Sequence, residues 1–209
     1  MPSPSAFVHC GFFVRWQFLD GEYCARLTAE MAAVPGAPGR LVRDGVDDVL
    51  DERTRKVFSA AVSRATRSQL KRRFCELVPE LETHFGTPLQ GCETPGFLIY
   101  DAGAFFAPHR DTGPEDPPEI HRRLISAIVF LNPQYSSPAE DGYTGGTLRF
   151  HGLLKGPEWE ACPLPFDGEP GMLVAFRSDV WHEVQPVSGG RRFTVVTWFL
   201  SPEGPRGER

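Results

Sequence analysis

The stretch GMLVAFRSDVWHEVQPVSGGRRFTVVTWFL, residues 171–200, sets the architecture of the chain. It holds three apolar runs, GMLVAF (171–176), WHEV (181–184) and RFTVVTWFL (192–200), each too short or too rich in β-branched and aromatic residues for a helix. Glycine, proline, serine and aspartate separate them. Several such runs at short spacing predict strands of a sandwich or barrel. The last run also has a sidedness. On a strand Arg192, Thr194 and Val196 share one face, while Arg191, Phe193 and Val195 share the other. An arginine heading an inward row needs an anion, because a buried guanidinium without one is costly. Its planar fork suits a carboxylate.

Upstream the same pattern continues through GFLIY (96–100), RLISAIVFLN (123–132) and GGTLRF (145–150). The 21 glycines and 20 prolines concentrate after residue 86, where they supply turns. Before that point the period is helical. In FLDGEYCARLTAEMAAVPG (18–36) Asp20 is the expected N-cap, Tyr23, Leu27, Met31 and Val34 form a stripe, and Pro35-Gly36 ends it. Residues 37–53 read as an irregular charged segment. Residues 53–86 read as mostly helical, with Leu70, Phe74, Leu77, Leu81 and Phe85 in one stripe, a kink or the start of a new helix at Pro79, and Gly86 as C-cap. The segments 112–120 and 133–144 are too long for tight turns and are expected to be flaps at the mouth of a site. The organisation expected is a single domain over 1–209. It comprises a helical support region (1–90), a mainly β core (91–201) and a flexible tail (202–209).

Composition narrows the function. The chain has 209 residues, 41% hydrophobic and 23% charged, with a formal net charge of −5. That balance argues against a nucleic-acid binder driven by phosphate contacts. The five cysteines, Cys10, Cys24, Cys75, Cys92 and Cys162, are odd in number and lack CxxC spacing. Reduced thiols are expected rather than a disulfide framework or zinc knuckle. The opening residues lack the cationic and apolar segments of a secretory signal and are too short an apolar run for a membrane span. A cytoplasmic protein without a membrane partner is the expectation.

The segment FFAPHRDTG (105–113) carries the chemistry. In extended backbone His109 and Asp111 point to one side. His182, on another predicted strand, supplies a second imidazole. Two neutral imidazoles and a carboxylate on adjacent strands form a facial triad, the ligand set of non-haem Fe(II) oxygenases, which leaves other coordination positions open. A structural zinc site would call for four protein ligands with cysteines among them.

The ordered set FLIYDAGAFFAPHRDT, RLISAIVFLN, GGTLRF and EPGMLVAFRSDVWHEVQPVSGGRRFTVVTWF resembles the prolyl 4-hydroxylase-type Fe(II)/2-oxoglutarate-dependent dioxygenases over roughly residues 95–200. The resemblance implies an α+β, mainly β fold, a double-stranded β-helix (jelly-roll) with supporting N-terminal helices. It implies His109, Asp111 and His182 as iron ligands, and Arg192 as the partner of the distal carboxylate of 2-oxoglutarate. Arg191, the rival for that role, faces outward by alternation. It further implies Tyr100, Ser126, Leu148 and Thr194 around the cosubstrate. Fe(II), 2-oxoglutarate and O2 are the implied cofactors, with ascorbate as an accessory reductant. One departure stands out: where the hypoxia-factor subgroup has a tyrosine that helps hold the distal carboxylate, this chain has Phe130. Asp111 favours hydroxylation, since related halogenases carry a small residue there.

The implied reaction is hydroxylation of an unactivated carbon in a prolyl or other amino-acid residue of a protein or peptide. A free amino acid or natural-product intermediate is the alternative substrate. A catalytically silent jelly-roll binding module and a cupin-type metalloenzyme without organic cosubstrate rank below both.

Overall fold

A computed structural model of the chain describes residues 4–33, 37–38, 41–43, 46–49, 54–137, 139–153 and 162–202. In chain order it begins with α1 (Pro4–His9), β1 (Phe13–Arg15), α2 (Gly21–Ala32), β2 (Ala37–Pro38), β3 (Leu41–Arg43) and β4 (Val46–Val49). Next come β5 (Arg55–Lys56), β6 (Phe58–Ser59), α3 (Arg64–Glu76), α4 (Val78–Phe85), β7 (Gly96–Tyr100), β8 (Phe105–His109) and α5 (Pro118–His121). The strands β9 (Arg123–Phe130), β10 (Gln134–Tyr135), β11 (Tyr143–Gly145), β12 (Leu148–Phe150) and β13 (Leu164–Phe166) follow. The chain closes with β14 (Leu173–Arg177), β15 (His182–Val184), β16 (Val187–Gly190) and β17 (Arg192–Leu200).

Two sheets carry the architecture. The major one runs β1-β14-β9-β17-β7-β6-β2 and the minor one β13-β12-β15-β8-β5. This is the expected double-stranded β-helix with helices against one sheet. Alternation along the central strands divides the core in two. Phe97 and Ile99 of β7, Ala127 and Val129 of β9, and Phe193, Val195 and Phe199 of β17 face outward onto the helices. There they meet Tyr23, Leu27 and Met31 of α2, Leu70 and Phe74 of α3 and Leu81 of α4. Leu98, Tyr100, Ile128, Phe130, Val174 and Phe176 face inward and pack against Leu148, Phe150, Phe166 and Val184 of the minor sheet. Covering both faces of the major sheet removes its apolar rows from water, the main driving force for this arrangement.

The helices follow the sequence closely. Asp20 caps α2 by accepting the Tyr23 N–H at 2.7 Å. Pro79 does not kink a helix but opens a new one, α4, at the second position, where its missing N–H costs nothing. Gly86 ends α4 in the left-handed conformation (φ 63°). Glu30 accepts the Ser63 N–H at 2.6 Å and the Thr66 hydroxyl at 2.7 Å, joining α2 to the start of α3.

Three expectations need correction. The N-terminal region is not only a helical support: β1 pairs with β14, β5 with β8 and β6 with β7, so it supplies strands to both sheets. Residues 55–59, expected within a helix, form β5 and β6. The irregular reading of 37–53 gives way to β2 and a β3–β4 pair. These strands are two to four residues long, and cross-strand pairing rather than local period defines them. Within 133–144, Gln134–Tyr135 and Tyr143–Thr144 pair as β10 and β11, and β11 pairs with β16. The expected end of the first helix at Val34-Pro35-Gly36 and most of the tail (203–209) lie outside the described residues.

Cys10, Cys24, Cys75 and Cys92 are free thiols. Cys75 and Cys92 lie with their sulfurs 3.6 Å apart, in a thiol–thiol hydrogen bond rather than a disulfide. No helix among the described residues is long and apolar enough to cross a membrane.

Candidate active site

The minor sheet sets the two imidazoles side by side. His109 at the end of β8 and His182 at the start of β15 are direct partners in the antiparallel register. Val184 pairs with Phe106, so three residues of β15 (His182–Val184) face four of β8 (Phe106–His109). The extra residue falls at Ala107–Pro108, a bulge that accommodates a proline without a ladder N–H. Strict alternation from Phe106 would turn His109 away from the interior. The bulge turns it back, and its ring stacks on Phe106 at 3.4 Å between centroids.

Asp111 lies beyond β8, so strand alternation does not place it. Its backbone N–H and that of Thr112 both donate to the Ser178 carbonyl, at 2.9 and 3.2 Å, folding the segment back over the β14–β15 turn. Its carboxylate then stands 3.8 Å from His109 Nε2 (Oδ1) and 3.6 Å from His182 Nε2 (Oδ2). One ligand atom from each of the three residues falls within 4.8 Å of the others, the one such cluster able to hold a metal ion among the described residues.

The ring nitrogens are sorted for that use. His109 Nδ1 is 2.9 Å from the Ala107 carbonyl and His182 Nδ1 is 3.0 Å from the Val180 carbonyl. A carbonyl only accepts, so Nδ1 carries the proton and Nε2 presents its lone pair to the cluster. Burial, reinforced by the neighbouring His182, lowers the His109 imidazole to about 3, which keeps it neutral. Burial alone would raise the Asp111 carboxyl. His182, His109, the Ser126 hydroxyl and the Trp198 indole outweigh it and hold the group below its ordinary range. Ser126 Oγ donates to Asp111 Oδ2 at 2.6 Å and lies 2.9 Å from Ser178 Oγ.

The major sheet provides the second element. Arg192 opens β17 opposite Tyr100 of β7 and is only 1% exposed. Aromatic rings surround its guanidinium carbon: Tyr100 at 5.0 Å, Phe130 at 5.5 Å and Tyr143 at 5.9 Å. Its Nε and Nη2 have no hydrogen-bond partner, nor does Thr194 Oγ1 two residues along the same face. Arg191 faces out and pairs with Asp101 at 2.8 Å. An orphaned buried cation of this kind fits an incoming carboxylate. Gly146 leaves the room: a Cβ there would meet Val187 Cγ2 at 2.8 Å and Arg192 Cδ at 3.2 Å, and its φ is +61°. Gly146→Ala is expected to cost about 1–2 kcal/mol from the left-handed backbone alone, read as a lower urea midpoint. An unchanged midpoint would contradict the cradle.

A cavity of about 210 Å³ adjoins the triad. Tyr100 and Ser126 line it together with His109, Asp111 and His182. Arg192, Thr194 and Leu148 are buried but are not part of its lining. Tyr100 links the two regions, since it lines the cavity and lies against the Arg192 guanidinium. Phe130 is packed rather than polar: it stacks with Phe166 at 5.8 Å, and a Cβ on Gly168 would overlap its ring.

Two lining residues, Trp198 and Arg55, escape the sequence reading, whereas Arg123 is one of the charged residues it sets near the mouth. Trp198 extends the inward row of Arg192, Thr194 and Val196 by one step, so alternation could have found it. Arg123 forms a bidentate pair with Glu93 at 2.7 and 3.0 Å and lies 3.8 Å from the Trp198 ring centroid. Arg55 lies 4.7 Å from the Phe106 ring; only the pairing of β5 with β8 brings it here. His121 is exposed, and His151 lies 3.6 Å from Glu183; neither lines the cavity.

Comparison with known proteins agrees with this geometry. Residues 95–200 match the 2OG-Fe(II) oxygenase superfamily. A PKHD-type hydroxylase from Rippkaea orientalis is 30% identical over 105 residues, 50% of this chain; the chain spans about two fifths (41%) of that relative's length. Among solved structures, a Pseudomonas putida prolyl-4-hydroxylase superposes with a TM-score of 0.67 at 22% identity, covering 95% of this chain and 97% of that one. A Trichoplax adhaerens prolyl hydroxylase, in complex with a hypoxia inducible factor oxygen degradation domain peptide, gives 0.68 at 19% identity, over 94% of this chain and 86% of that one. These likenesses carry the fold. The family implies Fe(II), 2-oxoglutarate and O2, and both the His-Asp-His donor set and the orphaned Arg192 guanidinium fit them. With half its length matched to the family and a triad of the required type at its centre, the chain belongs to the 2OG-Fe(II) oxygenase superfamily.

Proposed function

We propose that His109, Asp111 and His182 hold Fe(II), that Arg192 takes the distal carboxylate of 2-oxoglutarate, and that the protein hydroxylates an amino-acid residue, foremost prolyl, in a peptide or protein. The observation that carries the metal and cosubstrate roles is the pairing of a His-Asp-His cluster with a buried arginine whose Nε and Nη2 lack partners. The substrate class is supported by the peptide held by the Trichoplax neighbour.

When bound, Fe(II) and 2-oxoglutarate supply O2 activation: the keto acid is converted to succinate and CO2 as a substrate C–H becomes C–OH. The residues of the chain do the positioning. Two Nδ1–H groups fixed on backbone carbonyls aim both Nε2 lone pairs at one point. Ser126 holds the Asp111 carboxylate in register with them. Arg192 anchors one end of the dicarboxylic acid, so its chelating end is presented in one pose. The Thr194 hydroxyl is an unpartnered donor on the same face, and the Phe130 ring adds none.

Ser126→Ala should lower Fe(II) affinity about 10–100-fold, the usual effect of removing a hydrogen bond that orients a ligand. Isothermal titration under nitrogen reads it, and an unchanged affinity would remove Ser126 from this role. The substrate class is tested by adding prolyl peptides to the iron-loaded protein with 2-oxoglutarate and air. Peptide-stimulated succinate formation, with one oxygen gained on a prolyl residue, is expected. Stimulation by free amino acids alone would overturn the peptide reading.

A further inference from the structure

Beside the triad cavity lies a second chamber of about 320 Å³. The two share Phe106, His109, Arg110 and Asp116, so they adjoin across one wall. The second chamber adds Ala107, Pro108 and Trp181. Two of its residues are chain neighbours of the proposed ligands: Arg110 follows His109, and Trp181 precedes His182. A substrate residue held over the triad would therefore have its neighbours in the second chamber.

The chemistry of that wall is specific. Trp181 is 46% exposed, one of few large apolar side chains left in water among the described residues. The Arg110 guanidinium carbon lies 5.0 Å from its ring centroid, and the ring is the partner the structure shows for that cation among the described residues. Gly113 gives the guanidinium room, since a Cβ there would stand 3.0 Å from Arg110 Nη2. Cation–π contact fixes the plane of the group and leaves its N–H edge unpaired. Such a fork takes a carboxylate bidentately. Glu115 and Asp116 line the same chamber. Among the described residues neither forms an ion pair with Arg110, so the N–H edge of the guanidinium is left to a ligand.

We propose that this chamber is a substrate subsite, in which Arg110 binds an Asp or Glu side chain flanking the oxidised residue of a peptide and Trp181 packs against the intervening segment. The inference rests on the peptide-substrate reading given above.

Fluorescein-labelled decapeptides with a central proline test it, in one series flanked by Asp or Glu and in matched series flanked by Asn or Gln, or by Lys. Binding is followed by anisotropy on the protein loaded with Mn(II) and 2-oxoglutarate. The wild type should prefer the acidic series to the amide series by about tenfold, the worth of one exposed charge-assisted contact. Arg110→Gln should erase that preference, Trp181→Ala should weaken every series, and Arg110→Glu should shift the preference to the Lys series. The charge reversal is a gain of binding that misfolding cannot imitate. Equal binding of the acidic and amide series by the wild type, or an acidic preference surviving in Arg110→Glu, overturns the subsite and leaves the peptide reading standing. If no series binds and none stimulates succinate formation by the iron-loaded protein, the peptide reading fails and the subsite with it.

Discussion

Replacing His182 by alanine is expected to abolish Fe(II)-dependent conversion of 2-oxoglutarate to succinate. The imidazole is buried, its Nδ1 is engaged by the Val180 carbonyl at 3.0 Å, and its Nε2 lies 3.6 Å from Asp111 Oδ2. None of the chain's other described side chains can take its place in the cluster. Disturbing a group that merely orients a ligand costs about 10–100-fold in metal affinity, and deleting a ligand should cost more than about 100-fold. The ring also packs 4.9 Å from Phe176 and 6.2 Å from Phe150, so alanine leaves a hole. His182→Gln keeps most of the volume and separates loss of the ligand from loss of packing. Both variants should fail to bind Fe(II) by calorimetry, whereas the glutamine variant should keep the wild-type melting temperature within a few degrees. Retention of wild-type Fe(II) affinity by either would remove His182 from the metal site.

Arg192→Ala is expected to separate cosubstrate binding from metal binding. Hydrogen bonds to charged groups contribute about 1.5–3 kcal/mol each. Losing a two-pronged contact should therefore weaken 2-oxoglutarate about 100-fold or more, with Fe(II) affinity unchanged. The variant need not be less stable, because it removes a buried cation whose Nε and Nη2 lack partners without the ligand. Equilibrium dialysis with labelled 2-oxoglutarate measures the first effect and urea unfolding the second. A cupin-type enzyme without an organic cosubstrate predicts the opposite: metal-dependent turnover would survive the substitution.

The parts of this site that local pattern governs could be read from the sequence, and the parts that long-range pairing governs could not. Alternation along RFTVVTWFL places Arg192 and Thr194 inward and Arg191 outward, as the structure has them. The same rule carries Phe130 and Ser126 to the interior. It does not by itself explain His109 and Asp111. His109 faces inward because of the bulge opposite Val184, and Asp111 because its backbone is bound to the Ser178 carbonyl. Pro108 inside an apolar run was the signal for the first; nothing local signals the second. Ser126 was expected against the cosubstrate, and it does line the cavity, but its hydroxyl is committed to Asp111. Strands of two or three residues such as β1, β5 and β6 carry no period of their own. They exist because a longer neighbour offers unpaired backbone groups, and with β5 comes Arg55, which no motif would have assigned to the site.

In the proposed site one point between His109, Asp111 and His182 holds Fe(II) while Arg192 grips the far end of 2-oxoglutarate. The most direct measurement of this is an anaerobic titration of the apoprotein with Fe(II) and then 2-oxoglutarate, followed in the visible spectrum. A weak charge-transfer band is expected, saturating at one equivalent of each, absent in His182→Gln and requiring about 100-fold or more additional 2-oxoglutarate in Arg192→Ala. No band in the wild type, or a band of equal strength at equal ligand in both variants, would contradict it.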